Sequence, residues 1–140
     1  MCIEGHTLLL VHGSVDSINE YVYDHDEERI DALLDDIEQN IYVFGHTHCP
    51  FIKQWEGKMM INAGSVGRPK QGDTCASYVH LQLSQSSASA EVRKASYDVK
   101  KAAADMLACG IDPYFADFLL TGGHPEGGSC GINGNCGCPI

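Results

Sequence analysis

Three histidines stand where two runs of apolar residues end. His12 follows Leu8-Leu9-Leu10-Val11 and precedes Gly13, while His46 and His48 flank Thr47 directly after Ile41-Tyr42-Val43-Phe44-Gly45. Neutral imidazole is the commonest metal ligand among side chains. Two histidines separated by one residue in an extended loop do not easily aim both rings at one ion. They suit two neighbouring ions, as in binuclear sites with cations about 3.5–4 Å apart. The glycine beside His12 and the one beside His46 let the backbone turn sharply and approach a ligand closely.

A second concentration of chemistry lies near the C-terminus, where Cys130, Cys136 and Cys138 fall within nine residues among glycines. Thiolates are soft ligands suited to zinc, copper(I) or iron–sulfur clusters. Three of them leave a four-ligand motif incomplete, with His124 as the candidate fourth ligand. The alternative is a disordered tail with incidental or redox-active thiols. Cys2, Cys49, Cys75 and Cys109 are scattered singly and read as small buried apolar residues. His6, His25 and His80 lack the company of other ligands and read as structural, as does His124 outside a thiol site.

The apolar runs that carry the histidines suit strands buried on both faces, with ligands gathering at their carboxyl ends. Between them, Ile30, Leu33, Leu34 and Ile37 fall at helical spacing among acids, predicting a helix over Glu27–Glu38. Phe51–Trp55 and Lys58–Asn62 flank Glu56-Gly57, a hairpin signal. Residues 63–73 hold three glycines and a proline and form a loop. Ser77–Leu83 alternates as a strand that could pair with Glu91–Ser96. Asp98 is placed to cap a helix ending before Gly110, and Pro113 suits the first helical position of another.

Nineteen acids against nine Lys and Arg give a formal charge of −10 over 140 residues, which excludes a duplex nucleic-acid binder. Eight of the acids lie between Asp24 and Glu38, as on a solvated helix face. Asp16 and Asp24, in loop sequence after His12, are candidates to approach a metal. No apolar run approaches the roughly 20 residues that span a bilayer. Met1-Cys2-Ile3-Glu4 does not read as a secretory signal, so cytoplasm and no membrane partner are expected.

The order of motifs is specific: strand and His-Gly, acidic helix, strand and Gly-His-Thr-His, hairpin, then Asn62-Ala63-Gly64-Ser65-Val66-Gly67-Arg68-Pro69, the run from Gly72-Asp73 to Tyr78, and Tyr97-Asp98. From about Thr7 to about Gly123 this resembles the second half of calcineurin-like metallophosphoesterases, the branch with small bacterial phosphodiesterases and the retromer subunit. The resemblance implies an α/β fold, the C-terminal half of an α/β/β/α sandwich over residues 1–123. Residues 124–140 are then a Gly/Cys-rich, disordered tail outside it. It also implies two divalent cations, manganese first, with iron(II), zinc or nickel(II) as alternatives. His12 and His46 would ligate one and His48 the other. Asn62, Gly64, Ser65 and Arg68 would belong to a loop lining the site, with Lys70 a further base near it.

The substrate implied is a phosphoester, either a small molecule or a nucleotide. The family's Asp-x-His, Gly-Asp-x-x-x-Asp and Gly-Asn-His motifs, which stand upstream in relatives, do not occur in these residues. The isolated chain is therefore expected to be weak or inactive, and to associate with itself or with a complementing N-terminal half. Two readings stand beside the hydrolase. One is a non-catalytic interaction module of the same fold; the other is a metal-handling or redox role for the cysteine-rich tail.

Overall fold

The computed structural model describes residues 1–123. The expectations for the tail and for Cys130, Cys136 and Cys138 lie outside the described residues. The chain forms β1 (Cys2–Ile3), β2 (His6–Leu10), α1 (Glu27–Asp36), β3 (Ile41–Phe44), β4 (Phe51–Trp55), β5 (Lys58–Asn62), β6 (Ala76–Ser84), β7 (Ser87–Ala95), α2 (Val99–Ala108) and α3 (Pro113–Thr121). Five strands make one sheet in the order β1-β2-β3-β5-β4, and β6 and β7 make a separate hairpin. β2, β3 and β5 run parallel, with β1 and β4 antiparallel at the edges. No helix among the described residues is long and apolar enough to cross a membrane.

Alternation along the strands sends successive side chains to opposite faces of the sheet. On one face Tyr42, Phe44, Phe51 and Met60 pack against Val22 and against Ile30, Leu33, Leu34 and Ile37 at helical spacing. On the other, Leu8, Ile41, Met59 and Ile61 meet Val79, Leu81, Leu83, Ala88 and Ala90 of the β6–β7 hairpin. Helix, mixed sheet and hairpin therefore stack as layers around two apolar seams. α2 and α3 pack on each other through Ala103, Ala116 and Leu119. Lys58 Nζ donates to the carbonyls of Leu34 and Ile37, binding the C-terminal end of α1 to β5 where that helix has no basic residue of its own.

Local chemistry sets the boundaries. Asp98 accepts a hydrogen bond from the Lys101 N–H and Asp112 from that of Tyr114, the N-caps of α2 and α3, with Pro113 opening α3. Glu56-Gly57 joins β4 to β5 with φ of 46° and 83°, the pair of positive values that a tight hairpin turn requires. Glu4-Gly5 turns in the same way, at φ 50° and 83°, making a short β1 that periodicity does not reveal.

Two expectations need correction. β2 is not buried on both faces, since Leu10 is 57% exposed. β1 pairs with His6 and Thr7, and Met1 exchanges two backbone bonds with Leu8, both at 2.8 Å. Beyond that point the described residues place no strand along the outer edge of β2. Among the singly placed cysteines, Cys2 and Cys109 are exposed. Cys49 and Cys75 are buried, but each is disulfide-bonded rather than an isolated apolar filler.

The segment from Gly13 to Val22 is knotted by charge. Arg29 of α1 reaches Glu20 with two nitrogens, at 2.7 and 2.9 Å, and Asp16 at 2.5 Å. The buried Ser14 hydroxyl donates to Glu20 and accepts the N–H groups of Asp16 and Ser17. A β-carbon on Gly13 would lie 2.6 Å from the carbonyl oxygens of Ser17 and Ile18, so the fold-back needs glycine there. This knot spends Asp16, and Asp24 lies 3.3 Å from His25, so neither acid is directed at the histidines.

Two predictions follow from these contacts. Leu33→Ala removes a side chain with no exposed surface and should cost about 2–5 kcal/mol of unfolding free energy, read by urea denaturation. Glu20 is held below its ordinary value of 4.5, first by the Arg29 hydrogen bond and then by Ser14. A carboxyl whose pKa is lowered by folding contributes stability that is complete above its unfolded value and lost as pH falls through the depressed folded one. Glu20→Gln should therefore melt lower than the parent at neutral pH and lose less stability than the parent as the pH drops below 4.5.

Candidate functional site

The carboxyl ends of β2, β3 and β5 lie side by side, and each delivers one part of the crevice. Backbone pairing continues past the first two strands, with Val11 N–H on the Val43 carbonyl at 3.0 Å and Gly45 N–H on that of His12 at 2.9 Å. This ladder sets His12 beside His46. Nε2 of His12 lies 2.9 Å from Nδ1 of His46, with ring centroids 4.8 Å apart and planes at 77°. One nitrogen donates and the other accepts, or both face a shared cation.

The turn that carries His46 and His48 is strained and tightly pinned. Both residues have positive φ, 63° and 64°, which is uncommon outside glycine and concentrates at functional sites. Thr47, between them, is fully buried. Its N–H bonds the Gly45 carbonyl at 2.7 Å, and its hydroxyl oxygen accepts the Asn62 amide at 2.9 Å and the Cys49 N–H at 3.2 Å. The side chains on either side of Thr47 are thus turned away from the core.

His48 faces the third part of the crevice, the loop after β5. Its Nδ1 donates to the Arg68 carbonyl at 2.9 Å; because a carbonyl only accepts, the hydrogen is on Nδ1 and Nε2 keeps a lone pair. Burial is the largest influence lowering its pKa. The Arg68 carbonyl opposes that shift, and the charges of Lys70, Arg68 and His46 add to it. Each influence that lowers the pKa favours the neutral ring that can ligate or accept.

The residues expected to line this loop divide. Asn62 is fully buried and lies beneath the crevice rather than along it. Its amide donates to the Gly45 carbonyl and to Thr47, both at 2.9 Å, and its carbonyl accepts the Gly64 N–H at 2.9 Å. Gly64 has φ 76°, and a β-carbon there would meet Ser77 Oγ at 2.2 Å. Ser65 takes the Arg68 N–H on its hydroxyl and gives its own N–H to Ser77 Oγ, both at 2.8 Å. Arg68 lies over the rings of Phe115 and Phe118, at 5.4 and 5.0 Å.

Sequence reasoning missed Tyr21, whose ring lies 4.2 Å from that of His46, opposite in sequence to any motif signal. It follows Glu20, which Arg29 of α1 holds. Ser77 was also missed, although a serine inside an alternating apolar strand was a signal that something must satisfy it. His6, read as structural, has Nε2 2.9 Å from the Ser84 carbonyl and Nδ1 3.2 Å from the Asn40 amide.

The fit to a cation can be judged from the donor set. Two imidazole nitrogens on one ion, each about 2.1 Å from it, lie roughly 3.3 Å apart, close to the His12–His46 separation. Beyond that pair, the described residues hold no group of three or more His, Cys, Asp or Glu side chains arranged for a metal. The pair has the right bite, but the set is incomplete without ligands from outside these residues.

Residues 1–86 match the calcineurin-like phosphoesterase superfamily domain. The fold is shared with a metallophosphoesterase from Sphaerobacter thermophilus, at TM-score 0.74 and 22% identity over 84% of this chain and 56% of that one. It is shared too with the hypothetical protein PH1004 from Pyrococcus horikoshii, at TM-score 0.76 and 15% identity over 88% of this chain and 49% of that one. An uncharacterized protein, MJ0912, from Methanocaldococcus jannaschii is 29% identical over 93 residues, 56% of this chain and 37% of its own length. The chain thus spans about half, or less, of the length of these relatives. With its family match covering more than half of its residues, the chain belongs to the calcineurin-like phosphoesterase superfamily.

Proposed function

We propose that this chain supplies the histidine side of a two-cation centre that hydrolyses phosphodiesters or phosphomonoesters. The carboxylate ligands would come from a further strand-bearing segment docked along the open edge of β2. The observation that carries this reading is the 2.9 Å approach of His12 Nε2 to His46 Nδ1 at the ends of adjacent parallel strands. His12 and His46 would hold one divalent cation and the Nε2 lone pair of His48 the other, manganese being the first candidate. When bound, such cations supply Lewis acidity and a water of lowered pKa.

What the chain's own residues do is orient and exclude. The Asn62–Thr47 bonds fix the turn that presents His46 and His48, and the Arg68 carbonyl holds the hydrogen of His48 at Nδ1. Tyr21 covers one side of His46. The docking edge has a physical basis as well. Leu10 is exposed where β1 ends, with Val15 and Ile18 exposed after the strand. An uncovered strand edge offers unpaired backbone groups that template pairing with another chain.

The purified chain should show no turnover of a chromogenic diester above the metal-only blank, even with excess manganese. It should associate in light scattering. Mixing it with the first half of a full-length relative should restore chelator-sensitive turnover that His46→Ala abolishes. Robust turnover by the isolated chain, lost in His46→Ala, would refute the incompleteness of the site. A compact, cooperatively folding monomer would refute the docking edge, and a stable but inactive complex of the two halves would refute the esterase reading in favour of an interaction module.

A further inference from the structure

We propose that Arg68 and Lys70 form a subsite for a phosphate-type oxyanion beside His46 and His48, one that operates without any metal. The proposal rests on reading this crevice as the place where a phosphoester meets the chain, and extends it to residues and a mode of binding independent of the cation centre.

The charge distribution is the first argument. The chain carries −10, yet two cations face this crevice without a carboxylate partner among the described residues. The other basic side chains are mostly spoken for. Arg29, Lys53, Arg93, Lys94 and Lys101 each pair with an acid, and Lys58 caps α1. Two neighbouring cations with no acid partner among the described residues leave like charge uncompensated at that point. Burial, and then the charge of Arg68, push the Lys70 ammonium down. An oxyanion between the two would relieve both effects.

The second argument is how the cations are held. Arg68 rests on the faces of Phe115 and Phe118, and Lys70 lies 5.4 Å from the centroid of Tyr21. Aromatic faces position a cation without consuming its N–H groups. Among the described residues, neither charged head donates a hydrogen bond, so the guanidinium fork and the ammonium donors remain available. The loop between them is already ordered. The Arg68 N–H bonds Ser65 Oγ, and the Arg68 carbonyl takes the hydrogen of His48. The bond to His48 ties the cations to the histidine turn, and Tyr21 bridges Lys70 to His46 through its ring. Arginine and lysine together, in a preformed loop, suit a compact multivalent oxyanion better than a monovalent halide.

The test is calorimetric titration of the full chain, stripped of metal and desalted, at low ionic strength. Inorganic phosphate is one titrant and phenyl phosphate the other. Saturable binding is expected, weakened by added salt, and weakened about tenfold for each of Arg68→Gln and Lys70→Gln. Arg93→Gln, which removes an exposed cation elsewhere, should leave it unchanged. Tighter binding of phenyl phosphate identifies an ester as the ligand, and tighter binding of phosphate identifies the free ion. Absence of saturable binding by both titrants overturns the proposal. So does unchanged binding by an Arg68→Gln/Lys70→Gln variant whose circular dichroism matches the parent. Should that variant fail to fold, nuclear magnetic resonance of the parent decides. Phosphate must then shift the Arg68 Nε–H and Tyr21 ring signals, and shifts confined to other residues overturn the subsite. With no metal present, this outcome is separable from the complementation assay, and either can fail while the other succeeds.

Discussion

A single buried carboxamide, that of Asn62, joins two of the three segments from which the crevice is made, the chain leaving β3 and the loop after β5. It sits at the last position of β5, donates to the chain leaving β3 at Gly45 and Thr47, and accepts from the loop at Gly64. The carboxamide itself is fully buried, where an unsatisfied partner would cost about 1–3 kcal/mol. The arrangement therefore tends to be kept whole or lost whole. The positive φ at His46 and His48 is tolerable because this side chain and Thr47 over-determine the turn. The site is strained at the histidines and anchored one layer below them.

Charge is distributed by the same logic of separating what orders from what reacts. The acids cluster along α1 and the loop before it, where Arg29 gathers Glu20 and Asp16 into a network that shapes the chain after His12. The crevice holds imidazoles, two cations and a tyrosine ring instead. An anion would be repelled by most of this surface and attracted at one place. Such a contrast favours orientation of an approaching anion over raw affinity.

Much of the fold was legible because its elements follow simple periods. β3, the β4–β5 hairpin and the body of α1 emerge from alternation, helical spacing and a Glu-Gly turn, and Asp98 and Pro113 declare the starts of α2 and α3. β1 was invisible because two residues carry no period. β7 was underestimated because its first half, from Ser87 to Ala90, is serine and alanine, residues that carry no strong strand signal. At the candidate site, His12 and His46 stand next to glycine at strand ends and His48 two residues further on, a pattern readable from the sequence. Asn62 did not reveal that it was a buried pin rather than a lining residue. Tyr21 was unreadable, since its approach to His46 joins two segments distant in sequence and no motif marks it.

The register of β1 on β2 carries a practical consequence. Cys2 stands opposite Thr7 and Ile3 opposite His6, so paired positions sum to nine. A peptide joined ahead of Met1 and continuing as a strand would run antiparallel along β2, passing Leu10 and reaching the level of His12 at the fourth added residue. A fused tag or linker is thereby steered across the mouth of the histidine crevice rather than away from it. If that linker carries acids, it becomes an unintended ligand set; if it carries histidines, a competing one. Residues placed ahead of Met1 in this register would thus bring their side chains to the level of His12.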